Sequence, residues 1–165
     1  TIQYQNIEGS RTWGIEGAFK WISPGNWFTA EGNATWQDPR NVSSTGRFKE
    51  FDGQRLPNRP WLFANWSARF QWRKLLTSDD GLAPFYSGRY VHEFFRNWES
   101  VGDKDFKLKV DAQTSHTLGV SYFNNVPYRT SVTFEVDNLT DARLYDFFGV
   151  QKPGRTFSVK VTGEL

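Results

Sequence analysis

Trp61-Leu62-Phe63-Ala64-Asn65-Trp66-Ser67-Ala68-Arg69-Phe70-Gln71-Trp72-Arg73 sorts into two rows when every second residue is taken. One row reads Leu62, Ala64, Trp66, Ala68, Phe70, Trp72. The other reads Phe63, Asn65, Ser67, Arg69, Gln71, Arg73, and apart from Phe63 it is wholly polar. A period of two is the signature of a strand with one face in apolar surroundings. The run is also long. Strands of soluble domains are usually about 5–6 residues, whereas a tilted strand that crosses a bilayer needs about 9–11.

Working outward, the same alternation recurs at Thr12–Ile22, Trp27–Gln37, Gln113–Phe123, Arg129–Val136 and Arg155–Leu165, and more noisily at Tyr86–Trp98. The reading is seven strands and no helix. The 165 residues include 8 Trp, 6 Tyr and 15 Phe, yet mean hydropathy is −0.64. Trp13, Trp21, Trp27, Trp36, Trp61, Trp72, Tyr86, Trp98 and Tyr122 fall near strand ends in this reading, where amphipathic rings suit a membrane interface. No apolar run approaches the length of a membrane-spanning helix, about 18 residues. The 20 basic and 18 acidic residues are interspersed, with a net charge of +2, which gives no footprint for nucleic acid. Absence of cysteine excludes disulfides, thiolate metal sites and cysteine nucleophiles.

The connections alternate in length. Ser23–Asn26 and Asn124–Pro127 are tight and Leu75–Pro84 is of moderate length, while Asp38–Arg59, Glu99–Asp111 and Leu139–Gly154 are long. Transmembrane barrels carry short periplasmic turns and long outer loops, so the first strand is expected to descend from outside. Seven strands would leave an open sheet with unpaired edges in lipid, which is costly. The expectation is therefore an antiparallel up-and-down transmembrane β-barrel, present here as the C-terminal segment of a larger one. Thr1–Ile7 then reads as the tail of an outer loop or the end of an earlier strand.

The last thirty residues, VDNLTDARLYDFFGVQKPGRTFSVKVTGEL, resemble the closing segment of TonB-dependent outer-membrane receptors. The matching positions are Asn138, Leu139, Thr140, Asp141, Tyr145, Asp146, Pro153, Gly154, Arg155 and Thr156. Gly14-Ile15-Glu16 and Leu56-Pro57-Asn58-Arg59-Pro60 are weaker similarities upstream. The chain departs from the family in ending on Leu165 rather than an aromatic residue. The resemblance implies a 22-stranded barrel, a size that encloses a plugged lumen. It implies residence in the outer membrane of a Gram-negative bacterium and uptake of a scarce nutrient, most commonly a ferric siderophore. It also implies as partners the rest of the barrel, a plug domain, TonB acting through an N-terminal region outside this chain, the lipid bilayer and lipopolysaccharide. The motif residues are expected to be structural: Asn138 and Asp141 hold a turn, Pro153-Gly154 leads back into the sheet, and Arg155 is the first cation of the last strand.

Candidate chemistry is thin. His92 and His116 lie on different strands with no second ligand at metal spacing, and no phosphate loop or nucleophile elbow is present. No enzyme activity, cofactor or metal is expected. Four Asn-x-Ser/Thr sequons, at Asn33, Asn41, Asn65 and Asn138, read as chance in an Asn/Ser/Thr-rich barrel. The acid pairs Asp79-Asp80 and Asp103/Asp105 read as solvated loop charge. Glu16, Glu31, Arg69, Arg73 and Arg89 are expected to face a hydrated interior. The long loops carry Arg40, Arg47, Lys49, Arg55, Lys104, Lys107 and Lys109 with Phe48, Phe147 and Phe148. Solvent or lipopolysaccharide phosphates are the plainer use of those cations, and an anionic aromatic chelate the sharper one. Two other classes fit parts of the pattern. One is a self-contained eight-stranded barrel whose first strand lies in Thr1–Ile7. The other is a soluble β-sandwich that binds carbohydrate.

Overall fold

The computed structural model describes residues 9–46, 48–96, 108–146 and 150–164. Its strands are β1 (Ser10–Ile22), β2 (Phe28–Asn41), β3 (Leu62–Phe70), β4 (Trp72–Arg73), β5 (Asp80–Val91), β6 (Phe94–Phe95), β7 (Lys109–Val110), β8 (Gln113–Asn124), β9 (Arg129–Asp137) and β10 (Thr156–Glu164), with a short 3-10 turn at Lys49–Phe51. One antiparallel sheet runs β1-β2-β3-β5-β8-β9-β10, with β4 continuing β3 along β5; β6 and β7 pair separately. Each long strand is bonded to its neighbour in sequence, the up-and-down arrangement expected from the alternating connections.

Register decides what the sheet is. Trp21, Ala30, Ala68, Tyr86, Leu118, Val136 and Phe157 stand abreast across the seven long strands. The row one residue away reads Lys20, Glu31, Ser67, Ser87 and Thr117. Thr117 Oγ1 then donates to Asp137, which faces Thr156. Because paired residues share a face and neighbours alternate, one face carries an apolar band across the sheet and the other a polar band, with the rings of Phe63, Phe85 and Phe123 set into the polar side. The apolar face is bare: Ile15 is 71% exposed and Val161 74%. No second sheet covers it among the described residues. The buried apolar residues there are Phe51, Ala83, Phe94 and Val110, and three of these lie in the long connections. A sandwich needs two apolar faces meeting in a core, so the soluble-module reading fails. In lipid the same bare face is satisfied.

The rings on these faces lie over glycines. Phe19 stands opposite Gly32, Trp66 opposite Gly88, Phe85 opposite Gly119 and Phe123 opposite Gly81. A Cβ on Gly88 would come within 2.3 Å of the Trp66 indole. Glycine opposite an aromatic residue lets the ring lie flat on the sheet.

Several boundaries differ from those read in the sequence. The fourth long strand begins at Asp80, not Tyr86, and ends at Val91. Residues 74–79 therefore form a tight turn in place of a moderate loop, which sharpens the short-and-long alternation. Pro84 conceals that start, because proline argues against a strand interior. It is accommodated where β3 gives way to β4. Register is unchanged across the gap, so Phe70 stands opposite Pro84, which has no N–H to offer. Tyr86 consequently sits at mid-strand, away from the interface assigned to it. Phe94–Phe95 leave the sheet to pair with Lys109–Val110. The loop assigned to Asp38–Arg59 starts after Asn41, and β10 starts at Thr156. Thr1–Ile7, Trp98 and Leu165 lie outside the described residues.

Candidate functional site

The polar face carries the larger hollows. Near its middle Glu31, Asn33, Asn65, Ser67 and Arg89 border an open space of about 680 Å³. Toward the short turns Arg69, Arg73, Lys74, Arg129 and Glu164 border another of about 910 Å³. Both fall within the size of small-ligand sites, about 300–1,000 Å³. The charges predicted to face inward belong to this face. Lys20 Nζ is 3.6 Å from Glu31, which also accepts from Ser67 Oγ. Asn65 Nδ2 donates to Asn33 Oδ1 across β2 and β3 at 3.0 Å, so two of the sequons are cross-strand partners on this face. Arg69 lies over the Phe85 ring at 5.3 Å. Glu16 faces Thr35. Such a surface offers hydrogen-bonding groups and mixed charge.

At the long-loop end the described cations are partly engaged. Arg40 Nε and Arg55 Nε bind the two oxygens of Asp38 at 2.6 and 3.1 Å. Arg40 also donates to the Gly53 carbonyl, and Arg55 lies over Trp61 at 4.7 Å. Lys109 pairs with Glu93 at 2.9 Å and sits over Phe95. That ammonium holds the Glu93 carboxyl below its ordinary value. Asn41, fully buried, ties the loop down: its amide donates to Phe48 O and its oxygen accepts from Ser43 N. The hollow among Arg55, Trp61, Phe95 and Lys109 is about 50 Å³, far below the space a chelate needs. Among the described residues the loop cations are thus not gathered into one chelate-sized pocket. Arg47, Lys104, Lys107, Phe147, Phe148 and Asp103/Asp105 lie outside the described residues.

The closing motif is a net of hydrogen bonds. Asn138 has φ 48° and is 5% exposed. Its side chain donates to Ala142 O and accepts from Ala142 N. Leu139 N–H donates to His116 O, joining the motif to β8. Asp141 Oδ1 accepts the Arg155 N–H, and Arg155 Nε donates to Leu139 O. A Cβ on Gly154 would lie 2.7 Å from that Asp141 oxygen, so glycine permits the approach. Tyr145 is bridged to Gln151, and its backbone is held from both sides by Gln113. Asp146 Oδ1 accepts from Val150 N. Thr140 and Pro153 lie within the same connection, exposed.

One acid was misread. Asp80 is 1% exposed and is no solvated loop charge. Its carboxylate accepts the backbone N–H groups of Leu75, Leu76 and Thr77 and the Tyr122 hydroxyl. The turn wraps the carboxylate, and the signal available in the sequence was the Ser78-Asp79-Asp80-Gly81 turn composition. The histidines are paired with tyrosines: Tyr86 Oη is 2.7 Å from His116 Nδ1, and Tyr90 Oη 2.6 Å from His92 Nδ1. Among the described residues no cluster of His, Cys, Asp and Glu is fit for a metal ion.

A single up-and-down sheet, apolar and bare on one face and polar and hollowed on the other, defines the wall of a transmembrane β-barrel. A family model described as TonB dependent receptor-like, beta-barrel matches residues 1–139. The chain belongs to that family, whose members are transporters of the Gram-negative outer membrane that work with a plug and TonB. No curated protein matches the chain. The match stops at Leu139, so from Thr140 onward the closing motif stands on its resemblance alone.

Proposed function

We propose that this chain is the C-terminal segment of a plugged, 22-stranded outer-membrane receptor that imports a scarce nutrient, most commonly a ferric siderophore, with energy delivered by TonB. The observation that carries the reading is the pair of adjacent rows, one apolar and one polar, that run unbroken from β1 to β9 and on to β10. β1 and β10 are the edges of this sheet and are not paired with each other. In lipid such edges need strands, and the rest of the barrel supplies them. The polar face then lines the lumen, where Glu31, Arg69 and Arg89 meet the plug or a hydrated path. The outer connections take the ligand, and the motif from Asn138 to Arg155 has the structural task of fixing the last hairpin. The chain itself performs no chemistry.

The experiment is the intact mass of the native polypeptide from the detergent-extracted outer membrane of its source, followed by growth of a deletion strain under iron limitation. A mass several times 19.2 kDa with this sequence inside it, and slower growth on chelated iron, are expected. A detergent-soluble species near 19.2 kDa would replace the segment reading with a self-contained barrel. Normal growth on every chelate tested would remove the siderophore.

A further inference from the structure

The closing connection folds inward, over the polar face. Lys152 N–H donates to Leu144 O and Asp146 N–H to Val150 O, so 144–146 and 150–152 are the two arms of a short hairpin. Gln113 holds it. This residue stands opposite Val91 at the outer end of β8, on the same face as Ser115 and Thr117. Its amide donates to Tyr145 O at 3.1 Å, and its oxygen accepts from Tyr145 N. Both hydrogen-bonding groups of one side chain are spent on one residue's backbone, which makes the hairpin a fixed roof over that end of the wall. Under it lies a hollow of about 160 Å³, bordered by Arg89, Gln113, Ser115, Tyr145, Asp146 and Lys152. Arg89 and Ser115 also border the open space of about 680 Å³. The two hollows therefore adjoin, with the smaller one outward of the larger.

We infer that the roofed hollow is a side pocket for one carboxylate arm of the imported ligand, whose body lies in the larger hollow beside it. Arginine and lysine side chains donate hydrogen bonds and accept none. Neither Arg89 nor Lys152 has an ion pair or a side-chain hydrogen bond among the described residues. Gln113 is spent on Tyr145, and Asp146 Oδ1 accepts from Val150 N within the hairpin. Glu31, the carboxylate of the larger hollow, is engaged by Lys20 and Ser67. A carboxylate arm brings two oxygens in the geometry that a guanidinium fork matches, and the ammonium and the Ser115 hydroxyl can share them. Size selects an arm over a whole ligand, since 160 Å³ is short of the roughly 300–1,000 Å³ that a small-ligand site spans. Arg89, at the junction of the two hollows, is the residue that ties the arm to the body. The inference rests on the import function proposed above and adds the chemistry of the ligand to it.

The test uses the full-length receptor in detergent and two radioiron-labelled probes that differ in one arm. One is a ferric trihydroxamate whose free amine has been succinylated, so that it ends in a carboxylate; the other is the methyl ester of the same molecule. Binding is read by equilibrium dialysis. The wild type is expected to bind the acid at least tenfold more tightly than the ester, since hydrogen bonds between charged groups are the strong ones. Arg89→Gln is expected to lose that preference while binding the ester as before. Arg89→Lys, which keeps the charge without the fork, is expected to retain part of it. Gln113→Leu, which frees Tyr145, is expected to lose it as well. Equal binding of acid and ester by the wild type would overturn the inference. So would an Arg89→Gln receptor that keeps the preference, or one that loses both probes alike, which would make Arg89 a support of the wall. A wild type that binds neither probe would overturn it too. The import function is judged separately by growth of the deletion strain on chelated iron, so slow growth together with no preference for the acid would sink this pocket and leave that function standing.

Discussion

Asp80 shows how much a single side chain decides here. A buried carboxylate is costly unless its lone pairs are filled, and four donors fill these. Asp80→Asn turns one acceptor oxygen into a donor facing backbone N–H groups. We expect destabilisation of the full receptor of about 1–3 kcal/mol, read as a lower urea midpoint for unfolding from a bilayer. Tyr122→Phe removes one donor and is expected to cost about 0.5–1.5 kcal/mol. Equal midpoints for wild type and Asp80→Asn would show that the turn does not depend on the carboxylate. Residue chemistry of this kind was poorly legible in the sequence. Asp79 and Asp80 are identical as letters; only the path of 74–79 decides that one is exposed and the other enclosed.

Elements were more legible, because alternation is a property of consecutive residues and survives without tertiary knowledge. Six of the seven long strands were located to within a few residues. The seventh was shifted by Pro84, whose usual meaning is overridden by its place opposite the gap between β3 and β4. At this scale the ring-over-glycine pairs are testable. Gly88→Val places carbon where the Trp66 indole now lies. The indole must swing off the sheet, and its contact to Tyr86 Oη at 3.4 Å is lost. A cost of about 1–3 kcal/mol is expected from overpacking, with a changed Trp emission maximum. The same change at Gly163, where nothing lies within 4 Å of a Cβ, is expected to leave both unchanged. The closing hairpin offers a parallel case. Asn138→Ala deletes both bonds to Ala142 and leaves a left-handed residue without its amide, so faster proteolysis between Leu139 and Gly154 is expected. Unaltered cleavage would show that the motif's hydrogen bonds do not hold that connection.

For the whole molecule, the two faces make opposite predictions for the same substitution. Phe134 and Thr133 are neighbours on β9. Phe134 lies in the apolar row between Val120 and Val159, and Thr133 bonds Ser121 on the polar face. An arginine at Phe134 has to enter the hydrocarbon, at a cost of about 2–4 kcal/mol near the midplane. An arginine at Thr133 enters a hydrated face that already holds Arg69 and Arg89. The expectation is that Phe134→Arg sharply reduces the yield of folded receptor in bilayers while Thr133→Arg leaves it near wild type. Phe134→Ser separates loss of the ring from the burden of charge, and it is expected to fall between them. The contrast was readable from the alternation alone, because the sign of the effect depends on parity and not on atomic detail. Its location within the bilayer was not, since strand tilt and the heights of β9 and β10 come from the register. If the two arginine variants fold equally well, the bare face does not contact lipid, and the transmembrane assignment falls with it.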